Sequence, residues 1–374
     1  MARRRLGAAA AALLAACASG PSGPQPAELV PLEHAAPVRR LWTAQVGEAG
    51  RFVFEPARAG EAIFAAARDG TVVRLDAASG REQWRVSVGT PLSAGVGTDG
   101  RIVAVANEEG VVTALDAASG KRLWQARVSS EVLAAPAVGE GLVVVRSLDN
   151  RVFGFDAGDG SRRWVYQRAP TSLVVRAPSG VVLDDASAYA GFRGGKLAAI
   201  ALSNGGQRWE ATVALSKGAT ELERVTDVLG EPALAGREVC AAAYQGRVAC
   251  FDASSGRPLW AREVSTLTGV SLDARYAFVA DENGALQGLD RSTGRSVWKQ
   301  DKLSHRRLSR PVPVGELVAV GDFEGYVHFL ARETGAFAAR YATGDGAVRA
   351  PALPLPQGLL VQTQGGALHA IAVQ

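Results

Sequence analysis

Cysteine, histidine and methionine are scarce in this 374-residue chain, which has three Cys, four His and one Met. His34, His305, His328 and His369 are scattered, without an i, i+4 pair or a nearby Cys, so the spacing offers no zinc site. No Gly-x-Ser-x-Gly occurs to support a hydrolase. No segment reaches the roughly 18 consecutive apolar residues of a membrane-spanning helix. A net charge of one sign is also missing. Formal charge is +4, and without Arg3, Arg4 and Arg5 the balance is 38 basic against 37 acidic residues. A nucleic-acid-binding surface needs a concentrated basic excess, so none is expected. What is present is a hydrophobic content of 47%, only 21% charged residues, and 43 Gly. That composition describes a folded chain with many turns.

The N-terminus reads as an address. Arg3 to Arg5 precede an apolar run from Leu6 to Ala16, the length of a secretory h-region. The run ends Leu14-Ala15-Ala16-Cys17, which resembles the bacterial lipobox. The resemblance implies cleavage after residue 16 and lipidation of Cys17. Two or more acyl chains hold a protein stably on a membrane. Ala18 follows rather than Asp, which by the same resemblance favours sorting to the outer membrane. Residues 17–40 carry Pro21, Pro24, Pro26, Pro31 and Pro37 and are expected to form an extended tether.

The rest repeats. Trp occurs at 42, 84, 124, 164, 209, 260 and 298, with gaps of 42, 40, 40, 45, 51 and 38 residues. A period near 40 signals a repeat architecture. Asp76-x3-Gly80-x3-Trp84 recurs at Asp116/Gly120/Trp124, Asp156/Gly160/Trp164, Asp252/Gly256/Trp260 and Asp290/Gly294/Trp298. Ala201/Gly205/Trp209 lacks the Asp, and Ala331/Gly335/Ala339 is degenerate. An eighth copy begins at Gln357 and stops before any Trp position, while Trp42 has no copy before it.

Each copy alternates β-branched residues between Gly and Asp turns, the pattern of antiparallel strands. Asp is expected to bond backbone amides two residues on, and Gly to take positive φ. Three or four strands in about 40 residues make a propeller blade. Residues 41–374 therefore predict an all-β, eight-bladed β-propeller, closed by pairing the N-terminal strand with the C-terminal blade. Closure removes the two raw edges an open solenoid would leave. The Trp residues are expected to anchor blade to blade.

The Leu-Asp-x-x-x-Gly-x-x-x-Trp motif resembles the tryptophan-docking motif of quinoprotein-type propellers, over nearly all of 41–374. A narrower resemblance rests on the lipobox, the Pro-rich tether and four segments. These are Ser172-Leu173-Val174-Val175-Arg176, Ala219-Thr220-Glu221-Leu222-Glu223-Arg224-Val225-Thr226-Asp227-Val228, Leu303-Ser304-His305-Arg306 and Val320-Gly321-Asp322-Phe323-Glu324-Gly325-Tyr326. Together they resemble BamB, the propeller lipoprotein family of the outer-membrane β-barrel assembly machinery. The resemblance implies a non-enzymatic scaffold without cofactor, lipid-anchored at the periplasmic face of the outer membrane. Its implied partners are the POTRA domains of the barrel insertase and unfolded outer-membrane protein clients.

The two longest Trp gaps are consecutive, and the excess is expected in 168–179 and 215–229. Both would connect the outer strand of one blade to the inner strand of the next, as neighbours on one face. Loops on a rigid scaffold are where binding tends to reside. Leu173, Val174 and Val175 are apolar and followed by Arg176; the second loop offers Glu221, Glu223, Arg224 and Asp227. An apolar centre rimmed by charge resembles a protein-binding patch. The other reading makes Leu173–Val175 an inner strand and Asp227 turn punctuation. The family resemblance assigns partner contact to Leu173, Val175, Arg176 and Asp227. Leu229 stands where the family often has a second acidic residue.

A quinone-dependent oxidoreductase shares the fold and is the rival reading. It would need Ca²⁺ ligands, a carboxylate base and usually adjacent cysteines, and the chain has no Cys-Cys pair. Cys240 and Cys250 flank a turn at Tyr244-Gln245-Gly246. A three-residue loop centred on Gln245 places them opposite each other; a two-residue turn sets them on opposite faces. The sequence leaves both a disulfide and two packed thiols open.

Overall fold

The computed structural model describes residues 23–169 and 175–374. It is all-β, with 32 strands in eight four-stranded sheets and no helix among the described residues. Each sheet is an antiparallel blade. Blades 1 to 7 span residues 57–87, 97–127, 137–167, 181–212, 228–263, 270–300 and 312–342. Blade 8 joins 353–373 to the N-terminal strand Val38–Gln45. That strand pairs with Ala367–Val373 from Val38↔Val373 to Gln45↔Ala367, so the ring closes as the repeat predicted. It starts at Val38, three residues ahead of the boundary expected at 41.

The blades pack face to face through their middle strands. Ile102–Ala106 and Ala62–Ala66 are buried at every position, because both faces meet a neighbouring blade. Ala, Val and Gly suit that close approach. Outer strands alternate instead: in Arg122–Arg127 Trp124 points inward while the flanking residues are exposed.

The tryptophans join consecutive blades. Trp124 Nε1 donates to Ala157 O at 2.9 Å, and its ring lies where a Cβ on Gly160 would sit. Gly160 has φ +72° in the turn before the outer strand of blade 3. All seven indoles make the same pair of contacts, from Trp42 on Gly80 to Trp298 on Gly335. The motif Asp shapes the turn that receives them: Asp116 Oδ1 accepts the Ser119 amide at 2.8 Å and its hydroxyl at 2.6 Å. The amide bonded lies three residues on. Where Ala201 and Ala331 replace the Asp, the turn keeps its backbone bonds, among them Gly205 N to Ala201 O and Gly335 N to Ala331 O, without the carboxylate.

Part of the segment expected to be a free tether lies on the propeller. Ala36 N donates to Ala338 O at 2.9 Å, and Ala27 N to Ser304 O at 2.8 Å. The Cys240 hairpin has the three-residue loop, with Gln245 at φ +49°. Cys240 and Cys250 are direct cross-strand partners and form a disulfide, with Cα atoms 4.0 Å apart.

Candidate functional site

One face of the ring gathers the links between blades together with the turns joining each blade's two middle strands. The two longest links are 168–180, between blades 3 and 4, and 213–227, between blades 4 and 5. The first is laced to the inner strand of blade 5, into which the second leads. Gly230 N donates to Pro178 O at 3.0 Å, Gly180 N to Gly230 O at 3.1 Å, and Ser179 Oγ to Val228 O at 3.2 Å.

Of the residues expected to contact a partner, Leu173 lies outside the described residues, as does the lipidation candidate Cys17. Val175 is half-buried, and its amide donates to Asp227 Oδ2 at 3.1 Å. Asp227 is only 3% exposed, so its carboxylate clamps the first loop from below. Its carbonyl accepts the Tyr244 amide at 2.9 Å, tying in the next turn. The backbones of Arg193 and Asp227 pair as an isolated antiparallel bridge. Burial and then the charge of Arg193 lower the nearby Arg146 to about 10, against the opposing pull of Asp227. Leu229 is buried in the inner strand of blade 5, a position where a carboxylate would lack solvent.

Arg176 is exposed but engaged. Its guanidinium meets Glu131 at 2.5 Å and Glu108 at 2.7 Å. Glu131 raises its pKa through that bond. Arg51 and Arg68 reach Glu108 at 2.5 and 3.1 Å. All three guanidinium groups lie 4.8–5.9 Å from the Phe52 ring, within the range of cation–π attraction. This cluster joins the link between blades 3 and 4 to blades 1 and 2 and the links beside them. Sequence reasoning missed Glu108, Glu131 and Phe52, because such a contact across the ring has no periodic signal.

The second loop carries more apolar surface than its charges suggested. Leu215 and Leu222 are 64% and 71% exposed. A capping box builds the turn under Leu222: Glu223 N donates to Thr220 Oγ1 at 3.2 Å, and Thr220 N to Glu223 Oε2 at 3.1 Å. These bonds hold the Glu223 carboxyl below its usual range. Glu223 is thereby occupied, while Glu221 is exposed.

A channel of about 710 Å³ runs between the inner strands. Near its mouth Arg310 sits between Glu231 at 3.3 Å and Glu55 at 3.8 Å, joining blades 5 and 7 to the link that leads into blade 1. Burial raises Glu55, against the pull of Arg310.

Residues 68–300 match the family model described as outer membrane protein assembly factor BamB. A Bordetella pertussis protein of that name is 46% identical over 92% of this chain and 89% of its own length. A Burkholderia pseudomallei protein of the same name is 40% identical over 97% and 95%. The crystal structure of BamB from Moraxella catarrhalis superposes with a TM-score of 0.82 at 25% identity, covering 90% of this chain and 99% of that one. Quinohemoprotein alcohol dehydrogenase from Comamonas testosteroni, at 13% identity and a TM-score of 0.69, shares the fold alone. Matched along nearly its whole length by these relatives, the chain belongs to the BamB family.

Proposed function

We propose that this chain is a scaffold lipoprotein, anchored through Cys17 to the periplasmic face of the outer membrane. It binds the POTRA domains of the barrel insertase and assists insertion of β-barrel proteins. The coarser statement follows from the family: the chain is a non-enzymatic outer-membrane protein assembly factor. The finer one is supported by the clamp between Val175 and Asp227. That bond holds two long loops as one surface, with Leu215 and Leu222 bare and Arg176 at its border. Bare apolar side chains beside an arginine suit a compact protein interface.

Residues 18–374 should bind the POTRA domains of the same organism's insertase, measured by calorimetry. The double variant Leu173→Ala, Arg176→Ala should lose that binding while keeping its thermal midpoint, since exposed ion pairs contribute no more than about 1 kcal/mol. Unchanged binding by the folded double variant would remove the site assignment. No binding by the parent chain would remove the POTRA reading.

A further inference from the structure

The N-terminal segment crosses the edge of blade 7 as a strap. Ala36 bonds Ala338 near the start of that blade's outer strand. Farther along, Arg340 Nη1 donates to Val30 O at 3.1 Å. The strap then reaches the 301–311 link, where Ala27 N bonds Ser304 O and Arg306 Nη1 donates to Ala27 O at 3.0 Å. Leu29 packs against the core around Leu303, Leu308 and Phe337. Arg306 is itself fixed, 3% exposed, between Asp322 at 2.7 Å and Glu324. The strap therefore delivers the chain to the face that carries the long loops, beside residues 301–307.

Ala27 is only ten positions from Cys17. Fully extended, that stretch spans about 35 Å. A lipid on Cys17 thus keeps the 301–307 loop within reach of the leaflet that holds it. That loop is built to meet such a surface. Lys302 and Arg307 are exposed, and neither has an ion pair among the described residues. His305 and Arg307 both have positive φ, +59° and +50°. Non-glycine residues rarely adopt that conformation. They flank Arg306, which turns inward while Arg307 stays outside. Asp301 is the one carboxylate within the loop.

We propose that the 301–307 loop docks on anionic phospholipid headgroups of the leaflet that holds the anchor, with Lys302 and Arg307 meeting the phosphates. The inference rests on the lipid-anchor reading. Docking fixes which edge of the ring faces the membrane, so the partner-binding loops are held at a set orientation rather than swinging on a cord.

The full lipidated chain would be reconstituted in vesicles of phosphatidylcholine, with or without phosphatidylglycerol, containing a headgroup spin label. A fluorophore would be attached at Asn283→Cys, whose backbone oxygen accepts the His305 amide. A control would be attached at Thr334→Cys, in the turn entering blade 7's outer strand. Quenching is expected at 283 and not at 334, only with phosphatidylglycerol, and weaker in salt. Each basic residue near an anionic surface strengthens contact about fivefold, so Lys302→Glu with Arg307→Glu should weaken it by about 25-fold or more. Equal quenching at both positions, or quenching indifferent to phosphatidylglycerol and to the double reversal, overturns the proposal. Mass analysis of the N-terminal peptide separates the two readings: an unmodified Cys17 on a chain that does not float with vesicles overturns the anchor, and the docking with it.

Discussion

The indole of Trp42 lies on Gly80, and its Nε1 donates to Ala77 O at 3.1 Å. This contact carries the docking motif across the joint where the two ends of the chain meet. A Cβ on Gly80 would lie 2.4 Å from the Trp42 ring, and Gly80 has φ +68°. Overpacking and positive φ act together, so Gly80→Ala should destabilise the ring by about 2–4 kcal/mol. Denaturant unfolding would measure it, with Gly60→Ala as control. Gly60 also has positive φ, but a Cβ there would meet no atom within 4 Å, so that change should cost only the conformational part.

The repeat made most of this fold legible. Each Asp, Gly and Trp has one local job, and a job repeated from blade to blade prints its period in the sequence. The degenerate copy had a cause the sequence did not display. Ala339 stands where blade 7 should offer a Trp to blade 8. In blade 8 the place of the receiving turn is taken by the two chain ends, Val38 and Val373, so no turn exists to accept an indole. Ala339 is buried instead in a cluster that Ala36 and Val38 help to cover. The candidate site was less legible. Its loops showed as excess length, but the partners of Arg176 come from positions 45 and 68 residues away. Nothing periodic links them. Asp227 looked like a surface contact because sequence does not report depth.

The Cys240–Cys250 register has a direct consequence. The two strands place these residues opposite each other, and the bridge closes a short loop. In the chain-entropy model such a loop contributes about 2.5–3 kcal/mol. Both cysteines are fully buried, so reduction should be slow in the folded protein and fast once it is unfolded. Alkylation without reductant should leave both sulfurs unmodified in denaturant, as mass spectrometry would show. A Cys240→Ala, Cys250→Ala chain should melt earlier but keep the same fold.

Asp227 is expected to act on partner binding through the loop it holds. Asp227→Ala leaves the Val175 amide without its acceptor and removes the negative charge that favours the half-buried Arg193 guanidinium. An unsatisfied buried group costs about 1–3 kcal/mol. The Val175 amide should then exchange hydrogen faster, and POTRA binding should weaken with it. Asp227→Asn keeps an acceptor oxygen and should restore most of the protection. If Asp227→Ala abolishes binding while the Val175 amide stays protected, Asp227 touches the partner directly.

The strap's anchorage contains a pH-sensitive member. His328 is fully buried between Asp322, with Nε2 to Oδ2 at 2.9 Å, and Arg340, whose Nε donates to Nδ1 at 3.2 Å. Arginine can only donate, so Nδ1 accepts, and the ring is neutral with its proton on Nε2 facing Asp322. A second proton would have to enter on Nδ1 against the guanidinium. Burial pushes the imidazole below its usual range; Asp322 pulls it up, and Arg340 and Arg306 push it down again. The unfolded chain therefore binds more protons than the folded one below about pH 6.5. The stability from neutral His328 is fully present above that value and declines as pH falls toward the folded pKa, by at most about 1.4 kcal/mol per unit. Asp322, also held low in the fold, acts in the same direction but loses its share only below about pH 4. His369 is also lowered by burial and contributes in the same direction, so the comparison must be with a variant. His328→Gln can donate to Asp322 and accept from Arg340 without titrating. Thermal midpoints between pH 7 and pH 5 should fall less steeply for this variant than for the parent. Because Arg340 also holds Val30, proteolysis of residues 23–30 should accelerate over the same interval in the parent and stay flat in the variant.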